Sequence, residues 1–446
     1  MGHRWSLVMS GSQPAEGAAI AAHGQDVIVA GSFEGELEFG SPPGSPGQTP
    51  ALASAGDSDV FVARLDARGS VIWRQRIGGP GPDRASCAAA DAERIVLGLQ
   101  LAPSTGLTEL TPQEIAGSAR AALPPASPAS PASIDTARID AALVVLHPDG
   151  QIAWRHTLPG SGYARISAMA LTTDGGIAVA GTFAGTLRVG DRSLTSAGST
   201  DAFVARFDAQ GTPLWALRLG GPGADTAQAL TAWSERLVVA GNFDGNVDIG
   251  EHLVEAPSAF ALSLGGDGAL TWLRLLGPGT MPQALAASPD GALYLAGHFR
   301  GTLQLGAHAL DARGQSDAFL GRLDDQGTPR WLLQLGGPGI DHARALAVTS
   351  RGVILAGTFE DRLAVGQSEL VSAGASDAFA VELDGEAGAL ILARRFGGPG
   401  HHELTALAAR ADILMMTGSF EGTVEIEGRA ISTRGQRSAF ALGLDL

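Results

Sequence analysis

Apolar runs of six to eight residues recur down this chain, each bounded by Gly, Pro, Asp or Ser. Runs this short, closed by turn-forming residues, predict strands rather than helices. One stretch shows four in succession: Ala343–Val348, Val353–Phe359, Asp377–Asp384 and Ala389–Phe396. They are apolar on both faces, as strands are when their sheet is sandwiched between others. The Ala-rich first run suits a crowded position around an axis. Asp174-Gly175-Gly176, Pro289-Asp290-Gly291 and Asp325-Gln326-Gly327 supply the left-handed positions that tight hairpins need.

This unit repeats. A glycine of an AG-[ST]-F step recurs at Gly31, Gly98, Gly181, Gly241, Gly297, Gly357 and Gly418. The start of a DAF strand recurs at Asp59, Asp140, Asp201, Ser258, Asp317, Asp377 and Ser438. A tryptophan marks the next strand at Trp73, Trp154, Trp215, Trp272 and Trp331, with Leu392 in the sixth place. Trp5 aligns with the same strand, whereas the last copy stops at SAFALGLDL, before its own tryptophan strand. The chain thus opens with the strand that its end lacks. A β-propeller closed by one shared blade needs that offset, and a linear solenoid with polar capping repeats does not. The predicted fold is all-β: a single seven-bladed propeller of four-stranded antiparallel blades over residues 1–446, its ring closed by the N-terminal strand pairing into the C-terminal blade.

Composition narrows the partners. For 446 residues, 45% apolar and 17% charged content describes a packed chain, and repeats explain how one fold spans so many residues. A net charge of −16 argues against nucleic acid or an anionic membrane surface. All 30 basic residues are Arg, which compositional bias of the source explains as well as function does. The lone Cys87 excludes an internal disulfide framework and occupies a place held elsewhere by Ala229 and Ala345, as a small buried hydrophobe would. No apolar stretch is long enough to span a membrane, and Met1–Gly17 has no signal-peptide pattern, so the sequence predicts a soluble protein, cytoplasmic as written.

The AGxF, SDAFVARLD, LW and GGPGxD elements together resemble the bacterial seven-bladed β-propeller repeat (SBBP-type) family over nearly the whole chain. The resemblance implies a propeller, commonly in an extracellular or cell-envelope setting, and brings no catalytic motif. The second repeat departs from the pattern, with Leu97-Gly98-Leu99-Gln100 in place of AG-[ST]-F and Ala142 in place of the DAF phenylalanine, so blade 2 is expected to be the least regular. The segment 99–139 is about twenty residues longer than its counterparts and contains the Pro/Ala/Ser-rich tract Leu123–Thr136; Ser41–Thr49 is a smaller insertion at the same place in blade 1. In a propeller these insertions share a face with the GGPGxD loops, so any function is expected there.

Residues repeated in every copy are explained first by folding; polar or aromatic residues found once are the functional candidates. Asp83, Asp225 and Asp341 of GGPGxD are expected to fix their turns, with a cation (Ca2+) gathered at the channel mouth as the alternative. The DAF aspartates are expected to pin the third strand. Asp244, Asn246 and Asp248 superficially resemble a calcium loop but lack its distal Glu and flanking helices. His401, His402 and Glu403 form the densest titratable cluster and suggest a metal or acid–base site, against solvated loop residues. Tyr163, Arg165 and Trp233 complete the candidate partner-binding set, with edge packing the alternative for Trp233. No GxSxG, HExxH, P-loop or CxxC motif is present. The expectation is therefore a monomeric, non-catalytic scaffold without a cofactor, binding a protein or glycan through its loop-bearing face. A carbohydrate-active protein (a lectin, or a polysaccharide lyase or hydrolase) using the channel mouth is the alternative.

Overall fold

The computed structural model describes residues 2–40, 51–103, 138–249, 252–255, 257–426, 429–433 and 437–446. Strands account for all its regular structure, and no helix occurs among the described residues. Seven four-stranded antiparallel blades form a seven-bladed β-propeller; six are separate sheets, and the seventh is continued by two short strands of blade 1. Blade 1, for example, is built in order from Ala15–His23, Asp26–Phe33, Asp59–Leu65 and Val71–Ile77. The first strands of neighbouring blades touch all the way round, that of blade 7 (His402–Arg410) against that of blade 1, and so enclose a central channel.

Closure occurs in blade 7. His3–Ser10 pairs antiparallel with Ser438–Asp445, with Val8 opposite Phe440. This opening strand is the fourth of a blade whose other three come from the end of the chain. Trp5, Leu7 and Met9 are buried in a core shared with Phe61 of blade 1 and Met415 of blade 7.

Two repeated contacts hold blade to blade. Each fourth-strand tryptophan lies on a glycine in the next blade's strand-three turn. A Cβ added at Gly211 would stand 2.8 Å from the Trp154 ring, and one at Gly69 2.7 Å from Trp5. Both glycines have positive φ, +86° and +79°, so they supply both the turn and the space. The second contact uses the GGPG loop. A Cβ at Gly337 would stand 1.9 Å from the Arg362 carbonyl oxygen in the next blade.

That carbonyl belongs to an element that the sequence reading placed as loop. Between second and third strands run short hairpins, such as Thr186–Val189 with Arg192–Thr195 and Arg362–Val365 with Ser368–Val371. The preceding blade latches onto them through single bridges, Gly160 to Leu187 and Gly336 to Ala364. In blade 1 the equivalent strand, Glu36–Phe39, pairs with His3–Ser10, so the closing blade uses the same latch.

Blade 2 is regular where it is described. Asp140–Leu146 pairs with Ile95–Leu101 without a register shift. Six blades carry a phenylalanine pair such as Phe183–Phe203, with ring centroids 6.1 Å apart. In blade 2, Cys87, Met169 and Ile166 crowd over Gly98 instead. Burial pushes the Cys87 thiol up to about 12, the inert thiol expected of a packing residue. The tracts Ser41–Thr49 and Leu123–Thr136 lie outside the described residues.

Candidate functional site: the channel mouth

Each innermost strand carries a β-bulge at the same place, as between Ile166 and Ala168 in blade 3 or Ala343 and Ala345 in blade 6. The seven AG-[ST]-F glycines lie directly opposite these bulges. In six blades an added Cβ would sit about 2 Å from the carbonyl oxygen two residues before the bulged residue, for example 1.9 Å from the Arg165 oxygen at Gly181. The glycine is repeated because the bulge needs its space, and the bulge re-aims one side chain toward the axis. The bulged residues are Ser86, Ser167, Gln228, Gln283, Arg344 and Thr405, with Ala18 in blade 1, and all line one cavity of about 680 Å³.

The cavity opens on the GGPG-loop face. Its rim comes from the residues two places before the bulges, where the blades differ most. Blades 1 and 7 contribute Glu16 and Glu403, and blades 2 and 3 contribute Arg84 and Arg165. Tyr163, Ile139 and Gln100 complete the wall beside the two arginines. Below the bulges the channel narrows to a second space of about 210 Å³ walled by Ile20, Met169, Leu230, Leu285, Leu346 and Leu407. The bulged residues Ser86, Ser167, Gln228, Gln283, Arg344 and Thr405 border this space as well, so they stand between the cup and the narrower throat.

Charge is unevenly partnered around the cup. Glu16 lies 2.6 Å from Arg437, while Glu403 is 3.4 Å from Arg437 and 3.6 Å from Arg344. Arg84 and Arg165 are exposed and have no carboxylate partner among the described residues. The Arg165 charge opposes the effect of burial on the Cys87 thiol of blade 2. At the blade 5–6 boundary His298 stacks on His342, ring centroids 3.7 Å apart. Burial, reinforced by neighbouring positive groups, pushes them down to about 3 and about 4, so both are neutral near pH 7.

A second concavity of about 650 Å³ lies on the opposite face, among the turns of blades 5, 6 and 7. Its charges are engaged: Arg351 with Glu382 at 3.1 Å, Glu386 with Arg322 at 2.6 Å and Arg410 with Asp412 at 3.2 Å.

The candidates from sequence divide accordingly. Tyr163, Arg165 and Glu403 line the mouth. His401 is exposed away from it, its Nδ1 3.3 Å from Ser376 Oγ. His402 is 2% exposed and lies 3.4 Å from Asp377, so the adjacent histidines do not form a joint metal or acid–base site. Strand alternation separates His402 from Glu403, one facing the blade and the other the channel. Trp233 is 7% exposed and packs with Trp272 and Leu293 between blades 4 and 5, the edge-packing alternative.

Asp83, Asp225 and Asp341 do not ring the mouth. Each is buried at a separate blade junction and accepts the N–H of a loop glycine: Gly79 at 2.7 Å, Gly221 at 2.7 Å and Gly337 at 2.8 Å. Burial pushes Asp341 up to about 7 against the Gly337 bond, with the Asp317 charge adding to the rise; Asp83 reaches about 6 beside Asp59. The cation-ring alternative is therefore not what these residues build. His402 occupies the corresponding position in blade 7, opposite Phe420 as Asp341 is opposite Phe359. There the balance reverses. Burial of Asp377 is outweighed by hydrogen bonds from His402, the Ala373 N–H and Arg395, which hold its carboxyl below the usual range. Asp244 and Asn246 lead into a hairpin starting at Val247, with Gly245 at φ +109°; the Asp248 side chain lies outside the described residues.

The sequence reading missed Glu16, Arg84 and Arg344. They stand one or three places after the aspartate position of GGPGxD, at the start of alanine-rich strands, where the strand register and its bulge show that they face the channel.

No protein-family model and no curated protein sequence matches this chain. Among solved structures, it is similar to Sqt1 from Chaetomium thermophilum, at 15% identity over 98% of this chain and 86% of that one, with a TM-score of 0.40. It is also similar to the Neurospora crassa Pan2 WD40 domain, at 11% identity over 63% and 89%, with a TM-score of 0.32. Similarity to a Pyrococcus horikoshii acylaminoacyl peptidase has 9% identity and a TM-score of 0.45, and covers 94% of this chain but only 52% of that one. Likeness at these levels adds nothing to the functional argument, and the assignment as a seven-bladed propeller stands on the strand pairing itself.

Proposed function

We propose that this protein is a non-catalytic binding module, a propeller of the SBBP type that receives its ligand in the cup on its loop-bearing face. One observation carries this reading. Of the two large concavities described, the channel mouth is the one in which two cationic side chains, Arg84 and Arg165, have no carboxylate partner among the described residues. Pockets of several hundred Å³ with a few convergent polar groups are the usual form of a ligand site. Hydrolysis of a polysaccharide by paired carboxylates would need two unneutralised acids converging on one bond. Glu16 and Glu403, the two carboxylates on the rim, are instead both engaged by arginine.

Screening on an array of glycans and small metabolites tests the reading with three proteins: the wild type, Ser167→Trp, which fills the cup, and Asp325→Arg, on the opposite face. Ligands retained by wild type and Asp325→Arg but lost by Ser167→Trp support it. Retention by Ser167→Trp, or turnover of a bound glycan, contradicts it.

A further inference from the structure

The geometry points to an oxyanion site in the channel mouth: we infer that Arg84 and Arg165 together receive the carboxylate or phosphate of a small, hydroxyl-rich molecule. The inference rests on the binding role proposed above and names the chemical class of its ligand.

The two arginines occupy the same position of adjacent innermost strands, Arg84 opposite Gln100 and Arg165 opposite Thr182. Both line one cavity, and neither has a carboxylate partner among the described residues. A solitary surface arginine would mean little, because most are solvated. Two on neighbouring blades, lining one concavity of a chain with net charge −16, form a local positive field against the global one. Concave walls focus such a field, and the planar guanidinium fork matches the two-oxygen edge of carboxylate or phosphate.

The rest of the cup selects what carries the anion. Gln228 and Gln283 face into it from blades 4 and 5, and Ser86 and Ser167 lie beneath the arginines. These groups donate and accept, as recognition of hydroxyl groups requires. Glu403, held by Arg344 and Arg437, adds an acceptor on the far side. Tyr163 offers a ring beside Arg165. A sugar acid or sugar phosphate of one or two rings fits this distribution: anionic at one end, hydroxylated at the other, and within about 680 Å³.

Isothermal titration with D-glucuronate, glucose 6-phosphate and glucose tests the inference. At least one charged sugar should bind, and glucose should bind at least about tenfold more weakly, the effect of losing one charge-assisted contact. Arg84→Gln and Arg165→Gln should each weaken the charged ligand by roughly tenfold or more with unchanged melting curves. Binding that survives both substitutions, or equal binding of glucose, overturns the inference, as does absence of binding by both charged sugars at 10-millimolar order, about the weakest affinity such a cup would give. A neutral ligand blocked by Ser167→Trp but indifferent to both arginine substitutions would overturn the oxyanion site while leaving the binding role intact.

Discussion

The blade junctions and the channel mouth lie within one strand of each other, yet they follow opposite rules. At the junctions the same residues recur: a tryptophan on a turn glycine, a GGPG loop on the next hairpin and, at three of the seven junctions, a buried aspartate on a loop N–H. At the mouth the backbone is equally repetitive, with a bulge in every innermost strand, but the side chains it presents are Ser, Gln, Arg, Thr and Ala. Sevenfold constraint fixes the scaffold and leaves the rim free to specialise. Substitutions should therefore be costly for folding at the junctions and nearly silent for folding at the mouth.

The largest effect is expected at the closure. Trp5→Ala removes a ring that is 4% exposed and bridges blade 7 to Gly69 of blade 1, and should cost about 4 kcal/mol in urea unfolding. A cost near zero would mean that the ring does not depend on this contact. Next, Gly337→Val places side-chain atoms against the Arg362 carbonyl and should destabilise by about 3 kcal/mol. Gly24→Ala is its control for loss of a glycine, because an added Cβ there meets nothing within 4 Å, although its φ of +58° carries some strain of its own.

The carboxylate junctions should be sensitive to pH. The folded Asp341 carboxyl holds its proton to about pH 7 against an ordinary value of 3.8, so the folded state binds more protons across that window. Stability from this group is then greatest near pH 4 and falls as pH rises to 7. Asp341→Asn should flatten that slope by about 2 kcal/mol across the window, read from unfolding midpoints at several pH values. His402→Asp should convert the blade 7 junction to the same form and steepen the slope. An unchanged slope in both variants would remove the carboxylate pairs from the account. The smallest effect belongs to the mouth. Arg84→Gln with Arg165→Gln should change unfolding stability by less than about 0.5 kcal/mol, because both are exposed and have no carboxylate partner among the described residues.

The same contrast decides what sequence could convey. Blade number and circular closure were legible because glycine and tryptophan are demanded once per blade by close approach, and Trp5 betrayed the shared blade. The hairpins between second and third strands were not, because strands of four residues such as Thr186–Val189 bury only Leu187 and Val189, too little to stand out from a loop. At the site, Tyr163, Arg165 and Glu403 were found as departures from the repeat. Glu16, Arg84 and Arg344 were hidden at the start of alanine-rich strands whose bulges only the register reveals. Sequence proximity also misled: His402 and Glu403 are adjacent in the chain but point to opposite sides of their strand.

The most direct test, once titration has shown that the wild type binds D-glucuronate, is a crystal structure grown with it. The account predicts the sugar in the channel mouth, its carboxylate within about 3 Å of the Arg84 and Arg165 guanidiniums and its hydroxyls toward Gln228 and Gln283. An empty mouth with the sugar bound on the opposite face, or a sugar in the cup with its carboxylate turned away from both arginines, would contradict it.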